Sequence, residues 1–415
     1  MALSSGLGEI WQILGKGNYR LYFAGNAFSI LGVWVHRTAL GWLTWELTHS
    51  TTWLGVIGFT ATIPVIIVAP FAGALGDRFG VRRVAIWALF VNGVNLTVFA
   101  GLAFAGLINI WIILASTLVM GIAFGFDLPA RAALVPQIVQ RRHLSMAIAL
   151  NTTMFHVGMF IGPVLFAAIN AMLDVAWAFA LNAVSYFTYV FCLASMRMEE
   201  TQRESTGLFS DMIEGVRFTL AHRGIMTLLL LGSAVHLLLR PYVDLLPGFS
   251  AQVFGQGAEG YATMLSTIGL GALLSGIWLS LRGRMSGLAG IMSFGIPGTA
   301  TALFVFALTD IFWLGLVCMF LTGFFLMTQA VANQSLVQNA AGPAMRGRVI
   351  SLSMAIALGL PALGALIQGT IADFTGVQAP VLVAGLLVMG VWLVLRARLQ
   401  SHAQRLESID NPEEG

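Results

Sequence analysis

Residues 73 to 83 read Gly73-Ala74-Leu75-Gly76-Asp77-Arg78-Phe79-Gly80-Val81-Arg82-Arg83, a stretch that is short, rich in glycine and densely charged. Apolar segments long enough to cross a bilayer lie on both sides of it. A loop this short between two spanning helices must lie at one face of the membrane. Because Lys and Arg collect on the cytoplasmic side, its three arginines indicate the cytoplasmic face. A role in topology alone does not explain Asp77, or the glycines at Gly73 and Gly80.

The composition indicates that lipid, not water, surrounds most of the chain. Of the 415 residues, 58% are hydrophobic and only 9% are charged, whereas soluble domains carry about 25% charged residues. At roughly 20 residues for each spanning helix, about twelve apolar segments occupy nearly the whole chain, so no separate soluble domain is expected. The net charge of +3 does not indicate nucleic-acid binding, because the arginines are spread over many short loops.

The apolar segments predict an all-α membrane protein with two six-helix halves. The predicted helices are 19–46, 52–75, 84–107, 110–132, 145–172, 175–196, 225–254, 258–281, 288–308, 310–334, 349–373 and 378–397. The predicted domains are an N-terminal half (1–196), a cytoplasmic linker (197–224), a C-terminal half (225–400) and a cytoplasmic tail (401–415). Apolar and charged residues alternate in the linker, which fits either a helix at the membrane interface or a plain connection.

The charges predict the orientation in the membrane. Of the 21 Lys and Arg residues, only Arg37 and Arg240 lie inside predicted helices away from their ends, and the rest fall on one side. The loops on the other side contain no Lys or Arg and hold Glu46, Asp174, Glu259, Asp310 and Asp373. This split requires an even number of helices with both termini in the cytoplasm. We therefore expect a multi-pass protein of a bacterial inner membrane.

The two predicted halves are related by an internal repeat. Residues that match at an offset of 203 are Arg37 with Arg240, Gly73 with Gly276, and Gly80 with Gly283. The second copy keeps the basic flank but has Ser280 where the first has Asp77. Duplicated halves of this kind are typical of transporters that bind substrate at the repeat interface.

The order Gly-x-Leu-x-Asp-Arg-x-Gly-x-Arg-Arg resembles the motif between helices 2 and 3 of the major facilitator superfamily. Val81 departs from it, because that superfamily usually has a basic residue there. Residues 129–136, 147–151 and 346–364 resemble the branch of exporters related to the enterobactin exporter and the macrolide efflux proteins. The resemblance covers nearly the whole chain and implies outward movement of bulky amphipathic molecules.

The resemblance implies a cytoplasmic gate, in which the acid of the motif contacts the start of helix 11 and holds the cytoplasmic side closed. Helix 11 is predicted to begin near Val349, directly after two arginines, and the positive end of a helix suits a carboxylate. Asp127 and Arg131 are spaced i, i+4 near the cytoplasmic end of helix 4 and can pair directly. The alternative is that Asp77 only neutralises two arginines of its own loop. The predicted gate residues are Gly73, Asp77, Arg78, Gly80, Arg82, Asp127, Arg131, Arg346 and Arg348.

Polar residues inside the predicted helices are candidates for ion coupling and for the walls of a substrate cavity. A charge at membrane depth costs roughly 2.5–3.5 kcal/mol, so it usually faces a cavity or a partner. Asp244 is the acidic candidate for the coupling proton, and histidines titrate in the useful range. The alternatives are a structural ion pair in helix 7, and an arginine in helix 1 that extends to the outer interface. The coupling and cavity set comprises Asn26, His36, Arg37, Asn151, His156, His236, Arg240, Asp244, Gln329 and Asn333.

The segment Gly158-Met159-Phe160-Ile161-Gly162-Pro163 in helix 5 resembles the antiporter motif of drug exporters. Phe166 and Ala167 depart from that motif, which has a glycine pair there. Glycines spaced by four also permit close helix packing, which is the alternative explanation. The chain also lacks the acid that drug antiporters carry in the first half of helix 1.

The sequence predicts a monomeric secondary exporter of drug-like or siderophore-like molecules that works by alternating access and proton antiport. Its partners are a small-molecule substrate, a proton or other ion gradient and the lipid bilayer, without nucleic acid. Alternatives are a lysophospholipid or lipid transporter of the same fold, a membrane sensor or assembly protein that does not transport, and a copper importer. The last alternative depends on Met154, His156 and Met159, because soft ligands suit Cu(I). No phosphate-binding glycine loop, zinc spacing or nucleophile elbow occurs, so neither an enzyme nor a cofactor or metal site is predicted.

Overall fold

The computed structural model describes residues 13, 15, 17–197 and 217–407. Within them the chain forms α-helices with short connections and no β-strand. The helices are α1 (Gly17–Thr48), α2 (Thr51–Phe79), α3 (Val81–Phe104), α4 (Ile110–Ile138), α5 (Leu144–Met172), α6 (Ala176–Ala194), α7 (Arg223–Val253, interrupted), α8 (Ala258–Arg282), α9 (Leu288–Leu308), α10 (Phe312–Ala340), α11 (Gly342–Thr375) and α12 (Gln378–Glu407). The predicted interfacial helix of the linker lies mostly outside the described residues.

The predicted membrane architecture is confirmed. Among the described residues, 11 helices (α2 to α12) are long and apolar enough to cross a membrane. Helix α1 is also long, at 32 residues, and polar side chains at Asn26, Ser29, His36 and Arg37 interrupt its apolar run. All twelve predicted spanning segments are present as helices, and most ends lie within a few residues of the prediction. The last helix is an exception, because α12 continues to Glu407.

The stretch from Gly73 to Arg83 is not the open loop that its composition predicted. Helix α2 continues through Asp77 to Phe79, and the Gly80 amide still donates to the Gly76 carbonyl at 2.9 Å. Only Gly80 separates α2 from α3, and its φ of 89° is one that residues with a side chain rarely adopt. Asp77 therefore lies in the last turn of a helix, where its position is fixed by the helix backbone.

Helix α11 also begins earlier than predicted. It starts at Gly342, so the expected start near Val349 is wrong. A Gly-Pro sequence opens the helix, and proline suits the first turn because it has no amide hydrogen to leave unpaired. Arg346 and Arg348 consequently lie inside the first two turns of α11, and they do not precede it.

The chain forms two compact units. Unit 1 consists of residues 1–48 and 60–206, and unit 2 of residues 49–59 and 207–415. The first turns of α2 therefore belong to unit 2, although the rest of that helix belongs to unit 1. The predicted domains, in contrast, assign all of α2 to the N-terminal half.

Each unit has the same packing pattern. In unit 1, α6 packs against α1 and α3, α3 packs against α4, and α1 packs against α5. In unit 2, α12 packs against α7 and α9, α9 packs against α10, and α7 packs against α11. Adding six to each helix number of the first set gives the second, which agrees with the predicted repeat. The core of unit 1 includes Tyr22, Leu89, Leu134 and Tyr189.

Candidate functional site

A buried ion pair lies on α4. The Arg131 guanidinium contacts the Asp127 carboxylate one turn earlier in the helix, as their spacing predicted. The Asp127 side chain is fully buried, and that of Arg131 is 15% exposed. Apart from this ion pair, neither Asp127 oxygen has a hydrogen-bond partner among the described residues. The carboxylate therefore keeps capacity to accept a proton or a donor group.

Side chains from α1, α5 and α6 surround this pair. Arg131 Nη1 donates to Asn26 Oδ1 at 3.0 Å, and Asn26 Nδ2 donates to Asn151 Oδ1 at 3.5 Å. The Arg131 guanidinium also lies over the rings of Phe124 and Tyr189, with 5.9 Å and 5.7 Å to the ring centroids. We refer to Asn26, Asp127, Arg131 and Asn151 as the Asp127 cluster. Four helices of unit 1 thus hold one charged pair in the interior of the unit.

The Asp127 cluster joins residues for which the sequence predicts different sites. Asp127 and Arg131 were predicted at the gate because of their position near the end of helix 4, and the two asparagines were predicted in the cavity. In the structure the guanidinium bridges Asp127 to Asn26 directly. Ionisable side chains inside membrane helices are costly, and they commonly mark a substrate or ion path. The cluster is therefore the main candidate site in unit 1.

The arginines around Asp77 are engaged elsewhere. Arg82 donates to the carbonyl oxygens of Leu193 and Ala194, at 2.8 Å and 2.6 Å, and so caps the C-terminal end of α6. Arg78 lies over the ring of Phe79 at 5.1 Å from its centroid. Within the described residues of unit 1, Asp77 forms no hydrogen bond or ion pair. Asp77 therefore forms no direct ion pair with Arg78 or Arg82, and its role stays a prediction.

The remaining predicted gate residues differ in what they contact. Arg346 Nε donates to the Gln338 carbonyl at 3.1 Å, which ties the start of α11 to the end of α10. Arg348 lies two residues further on, in the same turn of α11. Gly73 has open space around its Cα, so a packing requirement does not explain that glycine. The contact of Asp77 with α11 remains a prediction.

Helix α7 carries three predicted coupling residues and is irregular where they lie. A π-helical turn spans Val235–Leu239 and a second spans Phe249–Val253. The Arg240 amide donates to the Val235 carbonyl, five residues back, at 3.0 Å. His236 lies within the first π turn, and Arg240 and Asp244 lie between the two. Turns of this type occur frequently at functional sites, which keeps these residues as a second candidate group.

Helix α11 supports the irregular part of α7. Because Pro241 has no amide hydrogen, the regular pairing of carbonyls in the preceding turn is interrupted. Gln368 Nε2 on α11 donates to the Leu238 carbonyl at 2.7 Å. A Cβ built at Gly364 would overlap the Leu237 carbonyl oxygen and the ring of Pro241. The backbones of α7 and α11 therefore touch at Gly364.

We expect Gly364→Ala to destabilise the protein by about 1–3 kcal/mol, because the added methyl group forces the α7 backbone away. Gly347→Ala on the same helix is the matched control, since a Cβ there meets nothing within 4 Å. Thermal unfolding in detergent should show a clear loss for the first variant and little change for the second. Equal stability of the two variants would contradict the close contact.

The acid Asp373, at the C-terminal end of α11, caps the start of α2 within unit 2. Its carboxylate accepts hydrogen bonds from the Ser50 hydroxyl (2.6 Å), the Thr51 amide (2.6 Å), the Thr51 hydroxyl (2.7 Å) and the Thr52 amide (3.2 Å). Free amides and the helix dipole make a helix start favourable for a carboxylate. From the sequence, Asp373 is only a marker of topology. Asp373 lies at the C-terminal end of α11, where the helix dipole disfavours a carboxylate. That unfavourable position is a signal that Asp373 caps a different helix.

Other predicted residues have ordinary packing roles or remain candidates. His36 is buried against the Phe179 ring, and neither ring nitrogen has a hydrogen-bond partner in the described part of the chain. Arg37 is exposed and lies over the Trp34 ring at 5.5 Å. His156 is partly buried on α5, Gln329 is buried on α10, and Asn333 faces Gly232 of α7.

The glycine motif of α5 lies at a helix contact. A Cβ built at Gly162 would overlap Trp34 of α1, and one built at Gly158 would lie against Ile30, 2.5 Å from its Cγ2. Close packing of α5 on α1 therefore accounts for both glycines, and Pro163 is buried beside them. No group of three or more His, Cys, Asp or Glu side chains within the described residues is arranged to hold a metal ion.

Comparison with known proteins places the whole chain in one family. Residues 10–414 match the family model described as transmembrane secretion effector. The chain is 22% identical to the staphyloferrin A transporter of Staphylococcus aureus, over 90% of this chain and 94% of that protein. It is 22% identical to macrolide efflux protein A of Streptococcus pyogenes (91% and 96% covered) and 27% identical to the enterobactin exporter EntS of Escherichia coli O1:K1 (91% and 91%).

A solved structure shares the fold. The inward-facing, unoccupied structure of a bacterial homolog of the human lysosomal transporter Spinster superposes with a TM-score of 0.69 at 14% identity. The superposition covers 93% of this chain and 96% of that one. The likeness extends over nearly the whole length of both chains.

Proposed function

Because the chain belongs to the transmembrane secretion effector family of the major facilitator superfamily, we propose that it exports small amphipathic molecules by alternating access, in exchange for protons. It is a multi-pass membrane protein and a transporter of small molecules, since its named relatives are transporters and not enzymes. The proposal places it in a bacterial inner membrane with both termini in the cytoplasm.

Drug-like or siderophore-like molecules are the proposed substrates. Among the similar proteins, one is named for staphyloferrin A, one for enterobactin and one for macrolides. The last two names specify export or efflux, which supports outward transport. Sequence identity to each of these relatives is below 30%. Their names therefore support a class of substrate and not one particular compound.

The observation that carries proton exchange is the fully buried Asp127 carboxylate with its remaining accepting capacity. Direct competition is one way to couple antiport, since the proton and the substrate then exclude one another at a shared group. A substrate hydroxyl or ammonium group that donates to Asp127 would be released when that carboxylate takes up a proton. Arg131 and the two asparagines hold the carboxylate in place and offer further polar groups to the substrate. Asp244 on α7 is the second candidate for the same role.

A substrate panel tests the proposed function in cells. The protein would be produced in a bacterial strain that lacks its own exporters, with macrolide resistance and secreted enterobactin measured in parallel. We expect a gain in at least one of the two readouts, which the Asp127→Asn/Arg131→Gln variant does not give. No gain in either readout, from a protein verified in the membrane, would contradict these substrate classes.

We expect Asp77→Asn to leave the fold intact and to reduce transport by about tenfold. A tenfold loss corresponds to roughly 1.4 kcal/mol less stabilisation of the closed gate. Asp77 is a half-buried acid in the last turn of α2, without a partner among the described residues of its own unit. Asp310→Asn, at an exposed acid of a predicted outer loop, is the control. Flux in reconstituted vesicles and a thermal unfolding curve would be measured together. Normal flux through Asp77→Asn would exclude the gate role.

A further inference from the structure

The last turn of α12 lies where three other helices of unit 2 begin or end. The sequence predicts the end of this helix near residue 397, and the helix continues to Glu407. In the added length the side chains of Leu399 and Leu406 are buried, at 0% and 1% exposed. Their turn is in contact with the start of α7, the start of α9 and the end of α10. Residues 398–407 therefore belong to the packed part of unit 2.

The Glu407 carboxylate caps the start of α9. Its two oxygens accept hydrogen bonds from the Gly287 amide at 2.6 Å and from the Ala289 amide at 2.8 Å. Gly287 directly precedes α9 and has no side chain with which to cap that helix. A carboxylate is favourable at the start of a helix, where amides lack partners, and unfavourable at the end of its own helix. Glu407 therefore stabilises α9, in the same way that Asp373 stabilises the start of α2.

Leu406 connects the same turn to α10 and to α7. Its carbonyl oxygen is one of those that a helix end leaves unpaired, and it accepts a hydrogen bond from Asn339 Nδ2 on α10 at 2.9 Å. A Cβ built at Gly224 would lie 3.1 Å from Leu406 Cδ2, so the start of α7 packs closely on this side chain. We refer to Gly224, Asn339, Leu406 and Glu407 as the Glu407 joint. Two adjacent residues of α12 thus contact the ends of three helices.

Unit 1 has a connection between the corresponding helices, since α1, α3 and α6 pack together as α7, α9 and α12 do. Arg82 at the start of α3 donates to the carbonyl oxygens at the end of α6. Asn18 of α1 forms two hydrogen bonds with the backbone of Arg197, which follows α6. Its Nδ2 donates to the Arg197 carbonyl at 2.8 Å, and its Oδ1 accepts from the Arg197 amide at 3.2 Å. A cation from α3 makes the connection in unit 1 and an anion from α12 makes it in unit 2, so the two halves connect the same helix ends by different chemistry.

We propose that the Glu407 joint makes the starts of α7 and α9 and the end of α10 open and close as one cooperative unit, and that transport needs this end of unit 2 to be rigid. Alternating access moves a bundle of helices largely as a rigid body. Helix ends that open separately would absorb part of that movement, whereas ends that are joined transmit it. The second part of the inference rests on the proposed transport function, and the first part does not.

Amide hydrogen exchange of the full chain in nanodiscs tests the joint without a substrate, because it reports how often each helix end opens. Glu407→Ala should raise the exchange rate at the starts of α7 and α9 and at the end of α10 together, by about tenfold. The matched control is Gln404→Ala, at an exposed residue of the same part of α12, and it should exchange as wild type does. Faster exchange at the start of α9 only would indicate a simple helix cap. That result, or no change at any of the three ends, would overturn the proposal.

A milder variant covers the case that Glu407→Ala fails to fold. Glu407→Gln keeps one oxygen that can accept from α9, so the same three helix ends should exchange about threefold faster than in wild type.

Flux in proteoliposomes is the second readout. Glu407→Ala should lower the maximal rate several-fold and leave KM unchanged, because Glu407 is not part of the Asp127 cluster. A normal maximal rate would exclude the need for a rigid end of unit 2. A wild-type protein that transports neither enterobactin nor a macrolide would contradict the proposed substrates, while the exchange pattern still decides whether the three helix ends open together.

Discussion

Replacing Asp127 with Asn is expected to destabilise the protein by about 3–5 kcal/mol and to abolish transport driven by a proton gradient. The loss of stability follows because the substitution leaves the Arg131 guanidinium buried without its counter-charge. The loss of transport follows because an amide cannot take up and release the proton. Thermal unfolding in detergent and flux in proteoliposomes measure the two effects.

The double variant Asp127→Asn/Arg131→Gln separates these effects. Removing both charges avoids the unpaired guanidinium, so most of the stability should return, while transport should stay absent. If Asp127→Asn unfolded at the same temperature as wild type, the ion pair would not contribute to the stability of the fold. Gradient-driven transport by the stable double variant would exclude Asp127 as the proton carrier.

Asp373→Ala is expected to release the start of α2 from α11 and to cost about 1–2 kcal/mol, the usual effect of losing a helix cap. Four hydrogen bonds to residues 50–52 depend on this one carboxylate. Leu54 on α2 is 5% exposed, so a cysteine placed there reports the release. In a protein with Cys192 and Cys318 replaced by Ser, a water-soluble maleimide should label Leu54→Cys several-fold faster once Asp373 is removed.

The control for this measurement is Asp310→Ala, which removes an exposed acid of unit 2 that caps no helix among the described residues. It should leave both the labelling rate and the unfolding midpoint unchanged. An unchanged labelling rate in Asp373→Ala would mean that packing alone holds this part of α2. The glycine contacts of Gly55 with Ala365, and of Gly369 with Thr51, would then be sufficient.

The helices were predictable from sequence because the length of an apolar run decides whether it can cross a membrane. Helix ends were harder, because they depend on single residues. At Gly80 the chain turns within one residue, so a stretch with loop composition is helical through Asp77 and Phe79. At α11 the helix starts with a Gly-Pro sequence, seven residues before Val349.

The sites were only partly predictable, because sequence spacing places a residue along a helix but does not show which neighbours it faces. The pairing of Asp127 with Arg131 follows from one helix and was predicted correctly. The link from Arg131 to Asn26 joins α4 to α1 and needed the structure. The hydrogen bond from Gln368 to α7 and the Asp373 cap of α2 are contacts between helices, which no local pattern encodes.

Exchange of protons for substrate at Asp127 can be measured as flux into proteoliposomes with an acidic lumen. Labelled enterobactin and a labelled macrolide would be offered outside, with protein-free liposomes as the blank for passive trapping. Proton exchange at Asp127 predicts that one of them accumulates in wild-type vesicles only while the pH gradient lasts, and that Asp127→Asn/Arg131→Gln vesicles match the blank. Accumulation that is the same without the gradient, or the same in the double variant, would contradict it.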